Sequence, residues 1–431
     1  MAKGFDIKGT KVSTSGVEQK GWLMNRRVSL IVGKDWGLND LIRLILDFHD
    51  CGIYSRLPEI LCRRHQVIKK ILHANKKDYE VLLYYTDKSS YGIARRNKNK
   101  IHKICSLLEI SPEFLFSRLR LYIQTAKYSN STFKPVPGFC PELYAELLKK
   151  DKATAFFDYL KNDFPEGPWK MKVLKKNCSQ GFATNNLKSA LHVHLHYVDD
   201  LVDILKRIQS SKNTPDLFFS VTSEEAFNIV EEKTQPLRRF KTKIALFPNA
   251  GRNIGPLLTG YAKELSRYDL IGHIHSKKSP HLDNRGFLNS WKGFLFNNII
   301  GGEEPMIDFI INEFSANPST GIIFPDDPIV YGWGDNRSLA EKLLNKMNIV
   351  APELNQDYIS FPVGMMFWAR REALQPLFDL KLSWNDYPNE PIDTDGTILH
   401  AIERVLTIVS SSQGYDSVVT KENFYDRQMP A

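Results

Sequence analysis

The sequence predicts an α/β protein whose C-terminal half forms a mainly parallel sheet with flanking helices. From residue 190 onward, apolar runs alternate with stretches of helical periodicity, as in ALHVHLHYV followed by DDLVDILKRIQ. Strand, helix, strand repeats of this kind produce right-handed crossovers and parallel pairing. The residues before 180 are different, because they are basic and mostly helical in pattern.

The same alternation continues along the C-terminal half. Ligands of such open sheets bind at the carboxyl ends of the strands, so the loops after the first four strands are where functional residues are expected. The predicted strands span 190–198, 216–222, 243–249, 270–276, 321–325 and 364–369. The predicted helices span 199–209, 223–233, 255–268, 291–300, 305–314, 337–348 and 397–409.

The chain divides into three predicted parts. Residues 1–130 form a basic, mostly helical region, with helices expected over 38–50, over 57–76 and after the Ser-Pro-Glu start at 111–113. Residues 131–187 are a linker with a connecting helix, because 129–140 have the Ser, Pro and Gly density of a linker. Residues 188–431 form the sheet domain.

Charge separates the two halves of the chain. The whole chain carries a net charge of +9, whereas residues 1–180 alone carry +15 and the remainder −6. The basic clusters at 63–77 and 94–103 fit a solvated face or contact with an anionic membrane surface. A helix-turn-helix nucleic-acid binder is the weaker alternative, since no tight Gly turn can be placed between two short helices.

Composition excludes several classes of protein. A hydrophobic fraction of 42% excludes a disordered chain, and no apolar run reaches the ~20 residues of a membrane span. The N-terminus lacks the apolar segment of a signal peptide, and the five cysteines form no CxxC pair. We therefore expect a cytoplasmic protein without a structural zinc site.

The loop after the third strand, FPNAGRNIGPLL, is a candidate anion site. Gly251 and Gly255 flank Arg252 and Asn253 directly before a predicted helix. Glycines allow a sharp turn and close approach of a ligand, and Arg252 can bind phosphate through two hydrogen bonds. A plain strand-to-helix turn explains the same pattern and stays open.

The loop after the fourth strand, GHIHSKKSPH, is a second candidate. His273 and His275 share one face of the strand, followed by Lys277, Lys278 and His281. Adjacent lysines repel a cation, so a diphosphate is favoured over zinc, and an incidental basic loop is the remaining alternative. The histidines of HVHLH at 192–196 are expected to be buried and hydrogen-bonded rather than catalytic.

The third constellation is acidic. WNDYP at 384–388 and EPIDTDGT at 390–397 place several carboxylates before the last helix. Most of them fit capping and turn roles, but one would suffice as a general base that deprotonates an acceptor hydroxyl. Trp333, Trp368 and Trp384 could provide faces for sugar stacking, although such residues are more often core.

Four motifs together resemble the rhamnan synthesis protein F family of polysaccharide-assembly proteins. These are NAGRNIGPLL (249–258), YDLIGHIHSKKSPH (268–281), FPVGMMFWARREAL (361–374) and DGTILHAIER (395–404). The resemblance covers about residues 188–412 and implies a GT-A-like (Rossmann-like) glycosyltransferase domain. This chain has GRNIGP where the family commonly has GRDIGP, and HIHSKK where the GT-A fold usually has a metal-binding DxD motif. That departure disfavours a divalent metal such as manganese or magnesium.

The resemblance implies an inverting glycosyltransferase of rhamnose-containing surface polysaccharide or lipopolysaccharide. A nucleotide-diphosphate sugar would be the donor substrate, and a lipid-linked glycan the acceptor at the inner face of the membrane. A non-catalytic scaffold or sugar-binding subunit is the alternative, and nucleic acid is an unlikely partner. The implied roles are catalysis by Asp395 and Asp393, diphosphate binding by Arg252, Asn253, His273, His275, Lys277 and Lys278, nucleotide binding by Tyr197, Thr222 and Asn249, and acceptor or sugar binding by Trp333, Trp384 and His281.

Overall fold

A computed structural model describes residues 132–175, 187–276 and 285–421, together with Ser106, Tyr122, Thr125 and Ala126; for 285–290 it describes the backbone alone. The helices predicted over 38–50 and 57–76, the helix start at 111–113, and the basic clusters at 63–77 and 94–103 lie outside the described residues. So do Lys277, Lys278 and His281.

The described residues form an α/β fold around an eight-stranded mixed sheet, which confirms the predicted class. The strands are β1 (Lys172–Val173), β2 (Ser189–Leu195), β3 (Asp216–Val221), β4 (Thr242–Leu246), β5 (Leu270–His275), β6 (Thr320–Pro325), β7 (Phe367–Arg370) and β8 (Asp416–Thr420). Their spatial order is β1-β8-β6-β7-β5-β2-β3-β4. Pairing is parallel throughout except at β7, which runs antiparallel to both neighbours.

Helices cover both faces of the sheet. Along the chain the α-helices are α1 (Pro141–Leu148), α2 (Ala155–Lys161), α3 (Leu201–Gln209), α4 (Glu224–Thr234), α5 (Ala262–Leu265), α6 (Arg285–Ile299), α7 (Met306–Ala316), α8 (Arg337–Lys346), α9 (Gln375–Asp379) and α10 (Ile398–Ser412). One face packs against α3, α4, α6 and α7, and the opposite face packs against α8 and α10. The sheet is therefore the middle layer of three, and its central strands are buried on both sides.

Local sequence explains the elements next to the carboxyl edge. In α3, Leu201, Ile204, Leu205 and Ile208 are buried, which is the i, i+3, i+4, i+7 stripe of a helix packed on a sheet. The hydroxyl of Ser223 accepts a hydrogen bond from the backbone N–H of Ala226 and so caps the start of α4. These two elements set the directions of the chain after β2 and β3.

Two of the four family motifs interlock in the sheet. Gly272 of β5 lies opposite Trp368 of β7, and a β-carbon at Gly272 would be 2.6 Å from the Trp368 ring. The buried indole N–H of Trp368 donates to the carbonyl of Ile299. The glycine of LIGHIH thus makes room for the tryptophan of FWARR, so these motif positions serve packing.

Several elements differ from the sequence predictions, including the connecting segment, in which two helices, α1 and α2, are present instead of one. Strands β1 and β8 are additional, and β1 lies within the segment interpreted as a linker. A two-residue strand has no detectable periodicity, and pairing with β8 is what makes it a strand. The single helix predicted over 255–268 is instead a π-helical turn, Pro256–Gly260, followed by the short α5.

Candidate functional site

The sheet changes its direction of growth between β2 and β5. Strands β3 and β4 add on one side of β2, whereas β5 adds on the other. Such a point, at the carboxyl ends of the strands, is where open α/β sheets bind ligands. The two strands stay joined there, because the N–H of Ser276 donates to the carbonyl of His194 at 2.9 Å and the N–H of Tyr197 donates to the hydroxyl of Ser276 at 3.2 Å.

Below this point lies a buried network of three histidines and one serine. The Nδ1 atoms of His192 and His273 are 3.0 Å apart. His192 Nε2 is 2.8 Å from the Ser220 hydroxyl, which is 2.9 Å from His194 Nδ1. All four side chains are at most 4% exposed. His192 and His194 of HVHLH are therefore buried and hydrogen-bonded, as predicted, whereas the prediction is wrong for His196, which is exposed because β2 ends at Leu195.

One set of protons satisfies this network with neutral rings. His273 Nδ1–H donates to His192, His192 Nε2–H donates to Ser220, and the Ser220 hydroxyl donates to His194. The buried Nε2 of His273 has no hydrogen-bond partner, and in this arrangement it is a bare acceptor, which costs less than an unpaired N–H. Burial lowers the pKa of His192 to about 3 and holds the pKa of His194 and of His273 well below the ordinary range.

His275 lies at the carboxyl end of the same row and is only half-buried. Its Nε2 is 2.9 Å from the carbonyl of Gly364, and its Nδ1 is 3.0 Å from the carbonyl of Ser276. A carbonyl oxygen only accepts, so hydrogen bonds at both nitrogens require both ring protons. The geometry therefore fits a cationic ring at His275 above three neutral ones. His273, by contrast, has no exposed surface.

A series of contacts leads from His275 through Gly364 to four further residues. We call His275, Gly364, Glu403, Trp291, Asp327 and Tyr331 together the edge cluster. The N–H of Gly364 donates to Glu403 Oε1 at 2.6 Å. The indole N–H of Trp291 donates to Asp327 at 3.1 Å, and a β-carbon at Gly364 would lie 3.0 Å from the same indole. Burial and the charges of Asp327 and Glu403 raise the pKa of Tyr331. Five segments of the chain thus converge at this edge.

The loop that carries Asp327 is fixed by a buried ion pair. Lys134 Nζ is 2.5 Å from Asp326 Oδ1, and the N–H of Gly138 donates to Oδ2 at 2.7 Å. Asp327 itself is 4% exposed, and burial raises its pKa although hydrogen bonds from Ile329 and Trp291 oppose the shift. The segment interpreted as a linker therefore packs against the edge of the sheet.

The glycine loop after β4 contacts the segment 384–396. Arg252 Nη2 donates to the carbonyl of Ile392 at 3.0 Å, and its Nε is 3.7 Å from Glu390. Gly251 has a φ of +68°, and a β-carbon there would be 2.8 Å from the Tyr387 ring. Arg252 is exposed and Asn253 is half-buried. The loop is thus held by tertiary contacts, in which Arg252 takes part.

Asp395 belongs to a hydrogen-bonded group on the same side of the sheet as α10. Its Oδ1 accepts from Asn336 at 2.6 Å and is 3.4 Å from Arg404, while its Oδ2 accepts from the N–H of Asp335 at 3.3 Å. Burial raises the pKa of Asp395, but Asn336, Arg404 and two backbone N–H groups outweigh it, and the pKa lies below the usual value. Both oxygens are occupied, and the carboxylate is a weaker base than an ordinary aspartate. Asp393 is exposed.

The residues expected to bind the nucleotide lie in the loops after β2, β3 and β4, whereas the two tryptophans expected to bind sugar lie in later segments of the chain. The Thr222 hydroxyl is 3.0 Å from His196 Nδ1, and the His196 ring contacts Tyr197, so these residues meet at the ends of β2 and β3. Asn249 is exposed after β4. Trp333 is 2% exposed and donates to the carbonyl of Gln356, so it offers no open ring face. Trp384 is half-buried against Phe247.

Sequence reasoning overlooked Asp327 and Tyr331 and gave Trp291 and Glu403 no role. The signal was available in the DDP that follows the strand GIIFP, because that strand ends at the same edge as β5. The sequence did not predict the order of the strands, so it did not show that this loop lies at the same edge as His275.

Within the part of the chain that the structure describes, no group of three or more His, Cys, Asp and Glu side chains is arranged to hold a metal ion. Within the same residues, no helix combines the length and apolar character needed to cross a membrane.

Comparisons with known proteins agree with the resemblance of the four motifs. The uncharacterized protein WxcX of Xanthomonas campestris pv. campestris, in strains B100 and ATCC 33913, is 32% identical over 227 residues. That match spans 52% of this chain and 31% of the relative, so the chain corresponds to about a third of the WxcX length. The family described as Rhamnan synthesis protein F matches residues 161–415. The match confirms the resemblance: this chain belongs to the rhamnan synthesis protein F family.

Proposed function

We propose that this chain is a glycosyltransferase of polysaccharide synthesis. It would transfer a deoxysugar such as L-rhamnose from a nucleotide-diphosphate donor to a glycan acceptor. The observation that carries the proposal is the edge cluster, in which a histidine, two carboxylates and a tyrosine converge beside the point where the sheet changes direction. Membership of the rhamnan synthesis protein F family supports a role in polysaccharide synthesis.

In this proposal the donor diphosphate binds at the carboxyl ends of β2 and β5. The ring of His275 lies at the carboxyl end of β5, and Lys277 and Lys278 follow it in the sequence. Cations of the chain would neutralise the diphosphate as it leaves, so the transfer would need no divalent metal. Arg252 and Asn253 would approach the donor from the next loop, and Tyr197, Thr222 and Asn249 would contact the nucleotide.

The acceptor in this proposal is a lipid-linked glycan. The basic residues 1–180 would hold the protein against an anionic membrane surface on the cytoplasmic side. His281 and Trp384 are the proposed contacts for the sugars, and Asp395 and Asp393 remain predicted catalytic residues. Each of these roles is a proposal for a particular residue, which the family membership does not itself assign.

A thermal-shift experiment tests the donor site. The purified chain is heated with a panel of nucleotide-diphosphate sugars, including L-rhamnose donors, each with manganese and with EDTA. We expect a deoxysugar donor to increase the free energy of unfolding by RT ln(1 + [L]/Kd) and so to raise the melting temperature. The same rise is expected in EDTA. A shift that requires manganese would contradict the metal-free site.

A pair of variants separates specific binding from non-specific attraction. His275→Gln removes the cation beside Gly364 and is expected to abolish most of the donor-induced shift. Lys243→Gln removes one positive charge at an exposed pair with Glu264 and is expected to leave the shift unchanged. No shift with any donor would instead support a non-catalytic scaffold or sugar-binding subunit.

A further inference from the structure

Three carboxylates lie close enough to the carboxyl edge to be compared as bases. Both oxygens of Asp395 accept hydrogen bonds, and Arg404 lies beside one of them. Asp327 is 4% exposed and receives N–H groups on both oxygens. Glu403 is half-buried, and its Oε1 accepts from the N–H of Gly364. Among these, Glu403 combines partial exposure with a contact to Gly364, which also contacts His275.

One residue, Gly364, connects Glu403 to His275. Its N–H donates to Glu403 at 2.6 Å, and its carbonyl accepts from His275 at 2.9 Å. Gly364 has a φ of +84°, which side chains rarely adopt, and a β-carbon would lie 3.0 Å from Trp291. Only glycine fits here without strain, and its two backbone groups fix a carboxylate and an imidazole at a defined separation.

The packing of α10 places Glu403 on the correct face. Helix α10 covers the side of the sheet onto which Ile271 points, and His273 and His275 point the same way because strand positions alternate. Ala401, Ile402 and Val405 are buried in this contact and hold the helix on the sheet. The Glu403 carboxylate is therefore positioned by a regular element, and a helix positions a side chain more accurately than a loop does.

We propose that Glu403 is the general base that removes the proton from the acceptor hydroxyl. The inference rests on the proposed glycosyl transfer and assigns to Glu403 the step that the sequence analysis predicted for Asp395. The acceptor oxygen forms a bond to the anomeric carbon while the bond from that carbon to the diphosphate oxygen breaks. The hydroxyl proton moves to Glu403, and the electron pair of the broken bond leaves on the diphosphate, beside His275.

Glu403→Gln is the decisive variant. Glutamine keeps an oxygen that can accept from the N–H of Gly364, so this positioning contact survives while the basicity of the carboxylate is lost. The readout is release of nucleoside diphosphate from a nucleoside-diphosphate L-rhamnose, with water as acceptor and then with a glycan acceptor. We expect kcat to fall about 10²- to 10⁴-fold, while the donor-induced thermal shift stays unchanged. Glu341→Gln, on the exposed side of α8, is the matched control and should have wild-type kcat.

The pH profile gives a second measure. The wild-type rate is expected to fall at low pH as the base becomes protonated, and this limb should be absent from the residual activity of Glu403→Gln. A kcat of Glu403→Gln within about tenfold of wild type, or a greater loss in Asp395→Asn, would overturn the assignment of Glu403. If the wild-type chain neither binds nor cleaves any donor, the proposed function itself fails.

Discussion

The edge cluster and the contact between the glycine loop and segment 384–396 use similar residue types in different ways. At the loop, Arg252 and Asp395 are paired with neighbouring side chains and backbone groups, and these bonds hold irregular segments together. In the edge cluster, Glu403 and His275 both contact the backbone of one glycine, Gly364. Similar charged residues thus hold irregular segments together at the loop and gather around one backbone position in the edge cluster.

The largest effect is expected below the edge cluster, at the ion pair of Lys134 and Asp326. The two side chains are 10% and 6% exposed, so Asp326→Asn leaves a buried ammonium without its carboxylate. The expected loss is about 3–5 kcal/mol in the free energy of unfolding, measured by urea denaturation. Asp357→Asn, in a pair with Arg337 whose Asp357 side chain is 73% exposed, should cost less than about 1 kcal/mol. Equal losses would show that the loop of Asp327 is not held by this pair.

A pH-dependent effect is expected from the histidine network under the edge cluster. Burial and the charge of His275 lower the pKa of His192 from 6.5 to about 3. Between these values the unfolded chain binds a proton that the folded chain does not, so stability is full above pH 6.5 and falls below it. For each such histidine the slope is about half of 1.4 kcal/mol per pH unit near pH 6.5, and it approaches about 1.4 kcal/mol per pH unit at lower pH, where the unfolded ring is fully protonated.

Urea denaturation between pH 7 and pH 5.5 measures this slope, in a window above the titration of most carboxylates. His192→Phe removes one titrating ring and should make the slope shallower. A wild-type stability that is constant over this window would mean that the rings are protonated in the folded chain, contrary to the network described above.

The smallest effect is expected at the loop contact. Asp395→Asn removes the charge beside Arg404 and can keep an oxygen for Asn336, and Asp395 is 34% exposed, so the expected loss is at most about 1 kcal/mol. The loss should shrink further in high salt, because the pair is accessible to ions. Thermal denaturation at two salt concentrations checks this. If the variant kept its stability but lost glycosyl transfer, Asp395 would belong with the edge cluster and the comparison would break.

Much of the fold could be predicted from the sequence. Most strands and helices from 190 to 409 were found because they are long enough to show their own periodicity, as Leu201, Ile204 and Ile208 do in α3. Strands β1 and β8 were missed because their pattern is short and depends on pairing with each other and with β6. The four motifs were sufficient to find the family, although Gly272 and Trp368 within them serve packing.

The site was only partly predictable. The sequence located the carboxyl ends of the strands and the row of histidines, because those depend on alternation along a single strand. It could not order the strands, and so it did not bring Asp327 and Glu403 to His275. The sequence also could not show whether the ring of Trp333 is buried or exposed, and the structure shows that it is buried.

The sequence by itself determined the α/β class, the family and the face on which the histidines lie, because these follow from local periodicity and motif order. Tertiary structure alone decided that the ring of His192 is buried and neutral. It also decided that the Asp395 carboxylate contacts Arg404 and Asn336, and that the Glu403 carboxylate contacts Gly364. The reason is physical. Burial and hydrogen bonding set the charge and basicity of a side chain, and both depend on residues that are far apart in the chain.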